Sequence, residues 1–218
     1  MPSIYDDNHR QLQDRFDSRA LADTLEFATV NPLIDDAAKK FIEERAFFFL
    51  STVNASGHPT VSHKGGAPGF VRVLDSTTLV FPSYDGNGMF LSMGNIAGDG
   101  RIGLLFIDFN TPHRVRAHAN AVLVHEGALL NSYPGADLVV VASITESFIN
   151  CPRYITKQAS AEPAPHVPDV NGDAPLAEWK KIDLLQDVLP KRFQNLADNA
   201  GGTITIDEYN EKVLRGET

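Results

Sequence analysis

The run RVRAHANAVLV (114–124) alternates polar and apolar residues more cleanly than any other part of the chain. Arg114, Arg116, His118 and Asn120 fall on one side of an extended backbone, and Val115, Ala117, Ala119 and Ala121 on the other. A period of two marks a strand with one packed face. Such a strand needs neighbours, and the flanking sequence supplies them. AFFFLSTV (46–53) is continuously apolar and then half-polar, as expected of a strand buried on both sides. NASGHP is a turn by composition, so TVSHK (60–64) pairs back as a hairpin. FVRVLD and TLVFPSY make a second hairpin around Ser76–Thr77, and RIGLLFID (101–108) and ADLVVVASITESFI (136–149) complete the set. Short strands joined by hairpins, with one helical crossing at about 88–97, imply a small closed or nearly closed antiparallel barrel. A doubly wound parallel sheet would require a helix after every strand.

Helices flank this region. Residues 8–28 carry Leu12, Phe16, Leu21, Leu25 and Phe27 spaced among charges and predict one helix. A second runs from about Asp35 to Glu44, after the break at Asn31–Pro32, with Ala38, Phe41 and Ile42 on one face. Residues 156–175 are rich in Pro, Ala and polar residues and read as a linker or a surface arm. Two helices follow: 176–189, with Trp179, Ile182 and Leu185 on one side, and a last one opened by the capping-box pair Thr205 and Glu208, with Gly216 at its C-cap. The expected division is an N-terminal helical segment (1–34), a barrel (35–155), and a linker with a helical extension (156–218).

A net charge of −9 argues against a dedicated nucleic-acid binder. The longest apolar runs are far too short to span a bilayer, and the polar N-terminus has no signal-peptide core. With a single cysteine, Cys151, neither an intramolecular disulfide nor an all-cysteine metal site is available. The seven histidines show no metal-ligand spacing. A cytoplasmic protein is expected, with no membrane or nucleic-acid partner.

Four stretches carry candidate chemistry. In TVSHKGGAPGF (60–70), Val61 and His63 face one way and Ser62 and Lys64 the other, before a run of residues that no ordinary strand chooses. The Arg114 strand face suits an anion or a cofactor's polar edge, and an exposed sheet face would give the same pattern. FPSYDGNGMFLSMGNI (81–96) ends a strand at Pro82–Ser83 and opens a helix through Asn87, Gly88 and Met89. Backbone N–H groups at such a junction suit a phosphate. INCPRYI (149–155) sets Cys151 beside Arg153, which favours a thiolate, although a buried structural cysteine fits equally. No triphosphate loop, dinucleotide fingerprint or serine-hydrolase elbow occurs.

Taken in order, FFFLSTVNASGHPTVSHKGGAPGFVRVLD, TLVFPSYDGNGMFLSMGNI, RIGLLFID, RVRAHANAVL and INCPRY resemble the pyridoxamine 5'-phosphate oxidase-related family of flavin-binding split barrels. The resemblance covers about residues 35–155. It implies a mainly β fold with flanking helices (α+β): a six-stranded antiparallel split β-barrel of Greek-key type, with N-terminal helices and a helical C-terminal tail. It further implies a homodimer with FMN at the subunit interface, acting as an oxidoreductase on a small-molecule substrate. The alternatives are F420 or haem as cofactor, or a flavin carrier without turnover. By the same resemblance, Ser62, His63 and Lys64 line the flavin, and Pro82, Ser83, Asn87, Gly88 and Met89 hold the ribityl phosphate. Arg114 reaches the cofactor, often that of the neighbouring subunit, and Asn150, Cys151 and Arg153 approach the flavin or substrate. No catalytic residue is assigned. Relatives commonly carry a basic residue where this chain has Gly88, which shifts the phosphate's neutralisation toward Lys64, another arginine or backbone amides. The C-terminal Arg-Leu-His signature of true pyridoxamine-phosphate oxidases is absent.

Overall fold

The structure is a computed structural model describing residues 3–110, 113–149, 155 and 167–215. It divides into two units, Met1–Pro163 and Ala164–Thr218.

The first unit opens with α1 (Asp7–Arg15) and α2 (Arg19–Thr29), where a single helix was expected. The break has a local cause. Asp17 adopts φ +50, and the Ser18 N–H returns to the Gln13 carbonyl at 2.8 Å, closing a Schellman-type stop. A two-residue strand β1 (Val30–Asn31) follows, then α3 (Asp36–Glu43), whose Asp35 carboxylate accepts the Ala38 N–H at 2.7 Å as N-cap.

Next come β2 (Phe47–Val53), β3 (Pro59–Gly65), β4 (Arg72–Asp75) and β5 (Thr78–Tyr84). After these lie α4 (Leu91–Gly98), β6 (Arg101–Asp108), β7 (His113–Val124), α5 (Ala128–Asn131) and β8 (Ala136–Ile149). The strands form one antiparallel sheet in the order β3-β2-β6-β7-β8-β5-β4, with β1 added to β8.

The expected six-stranded split barrel is met in part: the sheet is antiparallel and flanked by helices, but it has eight strands, and hydrogen bonds do not close it. The reason lies between β3 and β4. There the Gly66 N–H donates to the Ala46 carbonyl and the Gly69 N–H to the Glu43 carbonyl, so the chain is tied to the end of α3 instead of extending the ladder. A Cβ on Gly66 would lie 2.4 Å from the Phe70 ring, which makes glycine obligatory at that bend.

The sheet nevertheless rolls around a shared core. Phe48 of β2 lies 5.0 Å from Phe81 of β5 and 5.2 Å from Phe106 of β6, although β6, β7 and β8 separate β2 from β5 in the sheet. Ile42 of α3 and Met93 and Ile96 of α4 plug this inner side. On the opposite face, Val80, Tyr133 and Val139 form a smaller cluster against α5.

The expectation that 46–53 is buried on both faces also fails. Phe48, Leu50 and Thr52 are buried, whereas Phe47, Phe49, Ser51 and Val53 are half-buried on the outer face. No helix covers that side of β2 among the described residues.

In the second unit the expected helix over 176–189 is two 3-10 segments, Glu178–Lys181 and Asp183–Val188. Ile182 between them is extended and bridges to Ile204, with the Ile204 N–H on the Lys181 carbonyl at 2.9 Å. A continuous α-helix cannot supply that bridge. The short α6 (Leu196–Asn199) and then α7 (Ile206–Arg215) follow. The Thr205–Glu208 capping box is present: the Thr205 N–H donates to Glu208 Oε2 at 2.7 Å, and the Glu208 N–H donates back to Thr205 Oγ1 at 3.2 Å.

Candidate functional site

The alternation along β3 sends its side chains to two different places. Thr60, Ser62 and Lys64 turn toward the inner side, half-buried, while Val61 and His63 are exposed on the outer face. One strand therefore does not direct Ser62, His63 and Lys64 at a single ligand within one chain.

On the inner side, Ser62 Oγ lies 2.7 Å from Oγ of Ser92, which is buried on α4. One turn along, Asn95 Nδ2 donates to Thr52 Oγ1 at 2.9 Å, and Thr52 Oγ1 lies 2.8 Å from Thr60 Oγ1. These bonds fasten α4 across β2 and β3. Ser62 thus has a structural partner already.

Lys64 does not. Among the described residues it has no carboxylate and no hydrogen-bond partner, and burial pushes its ammonium below the ordinary lysine range. A half-buried cation without a counter-ion is a place for an anion.

The loop leading to α4 adds to this. Asn87 Oδ1 accepts the Met89 N–H at 3.1 Å, Gly88 takes φ +76, and Phe90 takes φ +50 as the N-cap. No side chain caps α4, so its first-turn N–H groups keep the partial positive charge of an open helix end. At φ +76 a side chain on Gly88 would be strained, although open space surrounds the position.

Pro82 is buried on β5 opposite Val139, where β4 no longer pairs and a missing N–H costs no ladder bond. Ser83, half-buried, shares the inner side with Phe81. Lys64 is paired across the ladder with Phe48, and Phe48 touches Phe81, so Lys64 and Ser83 flank the same aromatic pair.

The outer face has a different chemistry. The His63 ring stacks on Phe47 at 5.2 Å and 20°, and Phe47 stacks on Phe109 at 6.0 Å. Arg114 and Arg116 are half-buried on β7, on the side of the sheet away from Lys64. Arg114 Nε is buried with no hydrogen-bond partner among the described residues.

His118 Nδ1 meets Glu146 Oε1 at 2.5 Å. Glu146 escaped the sequence reading, and a β-bulge is why it matters. Between the pairs His118–Glu146 and Ala119–Ile144, β8 spends one extra residue, Thr145. That residue flips Glu146 from the inner to the outer face. The signal in the sequence is the lapse of strict alternation at Thr145–Glu146 in VVVASITESFI.

Asn150, Cys151 and Arg153 lie outside the described residues. Among those described, no group of three or more His, Cys, Asp or Glu side chains is placed to hold a metal ion, and no helix is long and apolar enough to cross a membrane.

Three solved structures show what the chain is similar to. HupZ from Group A Streptococcus is 18% identical, with a TM-score of 0.45 over 57% of this chain and 99% of that one. A putative pyridoxamine 5'-phosphate oxidase from Lactobacillus delbrueckii is 22% identical, with a TM-score of 0.45 over 54% and 95%. An FMN-binding protein from Syntrophomonas wolfei is 9% identical, with a TM-score of 0.41 over 64% and 97%. Among curated proteins, none matches the chain. The decisive comparison is with a family model described as pyridoxamine 5'-phosphate oxidase, which matches residues 34–147, more than half of the chain. The matched span begins at Ile34, just ahead of α3, and ends at Ser147 in β8, so it encloses both hairpins, α4, and the strands that carry Lys64 and Arg114. The chain belongs to the pyridoxamine 5'-phosphate oxidase-like family of FMN-binding split barrels.

Proposed function

We propose that the protein is an FMN-dependent oxidoreductase that acts as a homodimer on a small-molecule substrate. The observation that carries this reading is Lys64, a half-buried ammonium without a counter-ion, on the inner side of a sheet whose neighbouring helix α4 has an uncapped N-terminus. A flavin phosphate is a dianion that needs several strong donors. Lys64, the Ser83 hydroxyl and the first-turn N–H groups of α4 are that donor set, and they fit the group without the loop base that Gly88 replaces.

Bound FMN supplies hydride transfer through its N5, and the protein's part is to hold and orient it. In this reading Pro82, Asn87 and Met89 shape the loop, and Ser62 holds α4 in register through Ser92. His63 stands on the outer face, where a second subunit brings it to its partner's cofactor. The half-buried apolar side chains of that face support the dimer. The missing Arg-Leu-His signature speaks against vitamin B6 oxidation.

The visible spectrum of the purified protein is the test. Flavin bands are expected, and the Lys64→Met variant is expected to lose the cofactor on gel filtration. A single near-ultraviolet band would identify F420 instead, and a Soret band haem. A colourless protein that FMN does not reconstitute overturns the reading. Steady-state oxidation of NAD(P)H or a reduced dye separates an enzyme from a flavin carrier: yellow protein with no turnover means a carrier.

A further inference from the structure

A cleft of ≈ 760 Å³ lies between the N-terminal helices and the outer face of β7 and β8. Arg114 and Arg116 line it, with Tyr5 and Leu25 from the N-terminal segment and Phe148 and Ile149 from β8. Residues 3–33 fall outside the family-matched span, so one wall lies beyond the part of the chain that the family model describes.

The charges in the cleft are unevenly satisfied. Glu146 is engaged by His118 at 2.5 Å. Glu26 accepts the Ser3 hydroxyl at 3.0 Å and the Ile4 N–H at 2.6 Å. Among the described residues, neither arginine has a carboxylate partner. Arg114 Nε is buried and unbonded among the described residues, and the Arg116 guanidinium stands 5.3 Å over the Phe148 ring. They sit two residues apart on one strand face, roughly 7 Å between Cα atoms, close enough for both forks to reach one ligand. Burial, and after it the like charge of Arg114, lower the Arg116 pKa. Two half-buried guanidiniums without a counter-ion among the described residues make a place for an anion, and the apolar walls suit an apolar body.

We propose that this cleft is a binding site for a small organic anion, a carboxylate or phosphate ester with an apolar body. Arg116 is its principal anchor and Arg114 the second donor. The apolar body lies against Phe148, Ile149, Leu25 and the Tyr5 ring. The binding site stands independently of which cofactor the barrel holds. That the anion is the substrate rests on the oxidoreductase reading above.

The test is calorimetric titration of the full chain, as purified, with benzoate and separately with phenyl phosphate. Saturable binding is expected for at least one probe, and the stronger of the two distinguishes a carboxylate from a phosphate ligand. Arg116→Met is expected to weaken binding at least roughly tenfold, the scale of a charge-assisted hydrogen bond. Arg116→Lys, which keeps the charge and loses the fork, should fall between. Arg116 also stacks on Phe148, so a second variant guards against misfolding. Leu25→Glu, at an exposed position on α2, adds a negative charge to the opposite wall and should also abolish binding. If neither probe binds, or if Arg116→Met and Leu25→Glu both bind as the parent does, the site is overturned. A protein with normal flavin bands that takes up neither probe loses this site and keeps the flavin reading. A colourless, unreconstitutable protein that binds benzoate through Arg116 does the reverse.

Discussion

In the proposed flavin site, Gly88 and Lys64 divide one task between them. The backbone turns through φ +76 at Gly88, which strains any side chain there, and the half-buried Lys64 on β3 is the cation proposed for the phosphate. Restoring the base should therefore fail. Gly88→Arg is expected to cost about 1–2 kcal/mol in strain, read as a drop of a few degrees in Tm. It should leave FMN affinity no higher than in the parent, as measured by fluorescence titration of the apoprotein. A variant that is both as stable and tighter for FMN would show that the loop accommodates a side chain. The departure at Gly88 was plain in the sequence, since the residue type alone reveals it. Its cause was not, because a turn's φ depends on the Asn87 side chain holding the Met89 N–H and on where α4 must begin. Likewise the facing of Lys64 follows from the period of two in TVSHK, whereas its lack of a counter-ion depends on which distant side chains the fold brings near.

Among the elements, α4 links the candidate site to the frame. Ser92 and Asn95, three residues apart on one helix face, bond Ser62 and Thr52, so the helix end is fixed relative to Lys64 by four side chains. Asn95→Ala leaves the buried Thr52 hydroxyl with only Thr60. It is expected to cost about 1 kcal/mol, a Tm decrease of about 2–4 °C in a chain of this size, with weaker flavin retention as α4 loses its register. Unchanged Tm and unchanged flavin content would show that the network does not position the helix. Strands were the most legible elements, because period-two patterning in 114–124 and the hairpin turns depend on local sequence alone. The elements misread were those settled by distant contacts or backbone stops. Asp17 breaks one apolar-patterned helix into α1 and α2 by its left-handed conformation. Residues 176–189 have helical spacing but surrender Ile182 to a bridge with Ile204, more than twenty residues on. The bulge at Thr145 depends on the pairing of β7 with β8 and sets the His118–Glu146 pair.

At the scale of the whole molecule, the outer face of the first unit is the surface a single chain leaves unfinished. Phe49, Val53, Val61 and Leu105 line a concavity of ≈ 680 Å³ there, and Val61 is 71% exposed. Residues 46–53 read as buried on both sides because of their apolar composition, whereas in the single chain the outer side is only half-buried. A second copy of this chain is the proposed cover. Each chain carries a net charge of −9, so association works against mutual repulsion and depends on apolar contact. Two consequences follow from that balance. Added salt should strengthen the dimer by screening the repulsion. Val61→Glu, which puts a further negative charge onto the contact face at a position already exposed in the monomer, should convert dimer to monomer without loss of fold. Light scattering coupled to gel filtration reads both, and circular dichroism checks the fold of the variant. A wild-type chain that is monomeric at all salt concentrations sinks the interface, and with it the delivery of His63 to a partner's cofactor. A Val61→Glu chain that remains dimeric moves the interface to another face of the sheet.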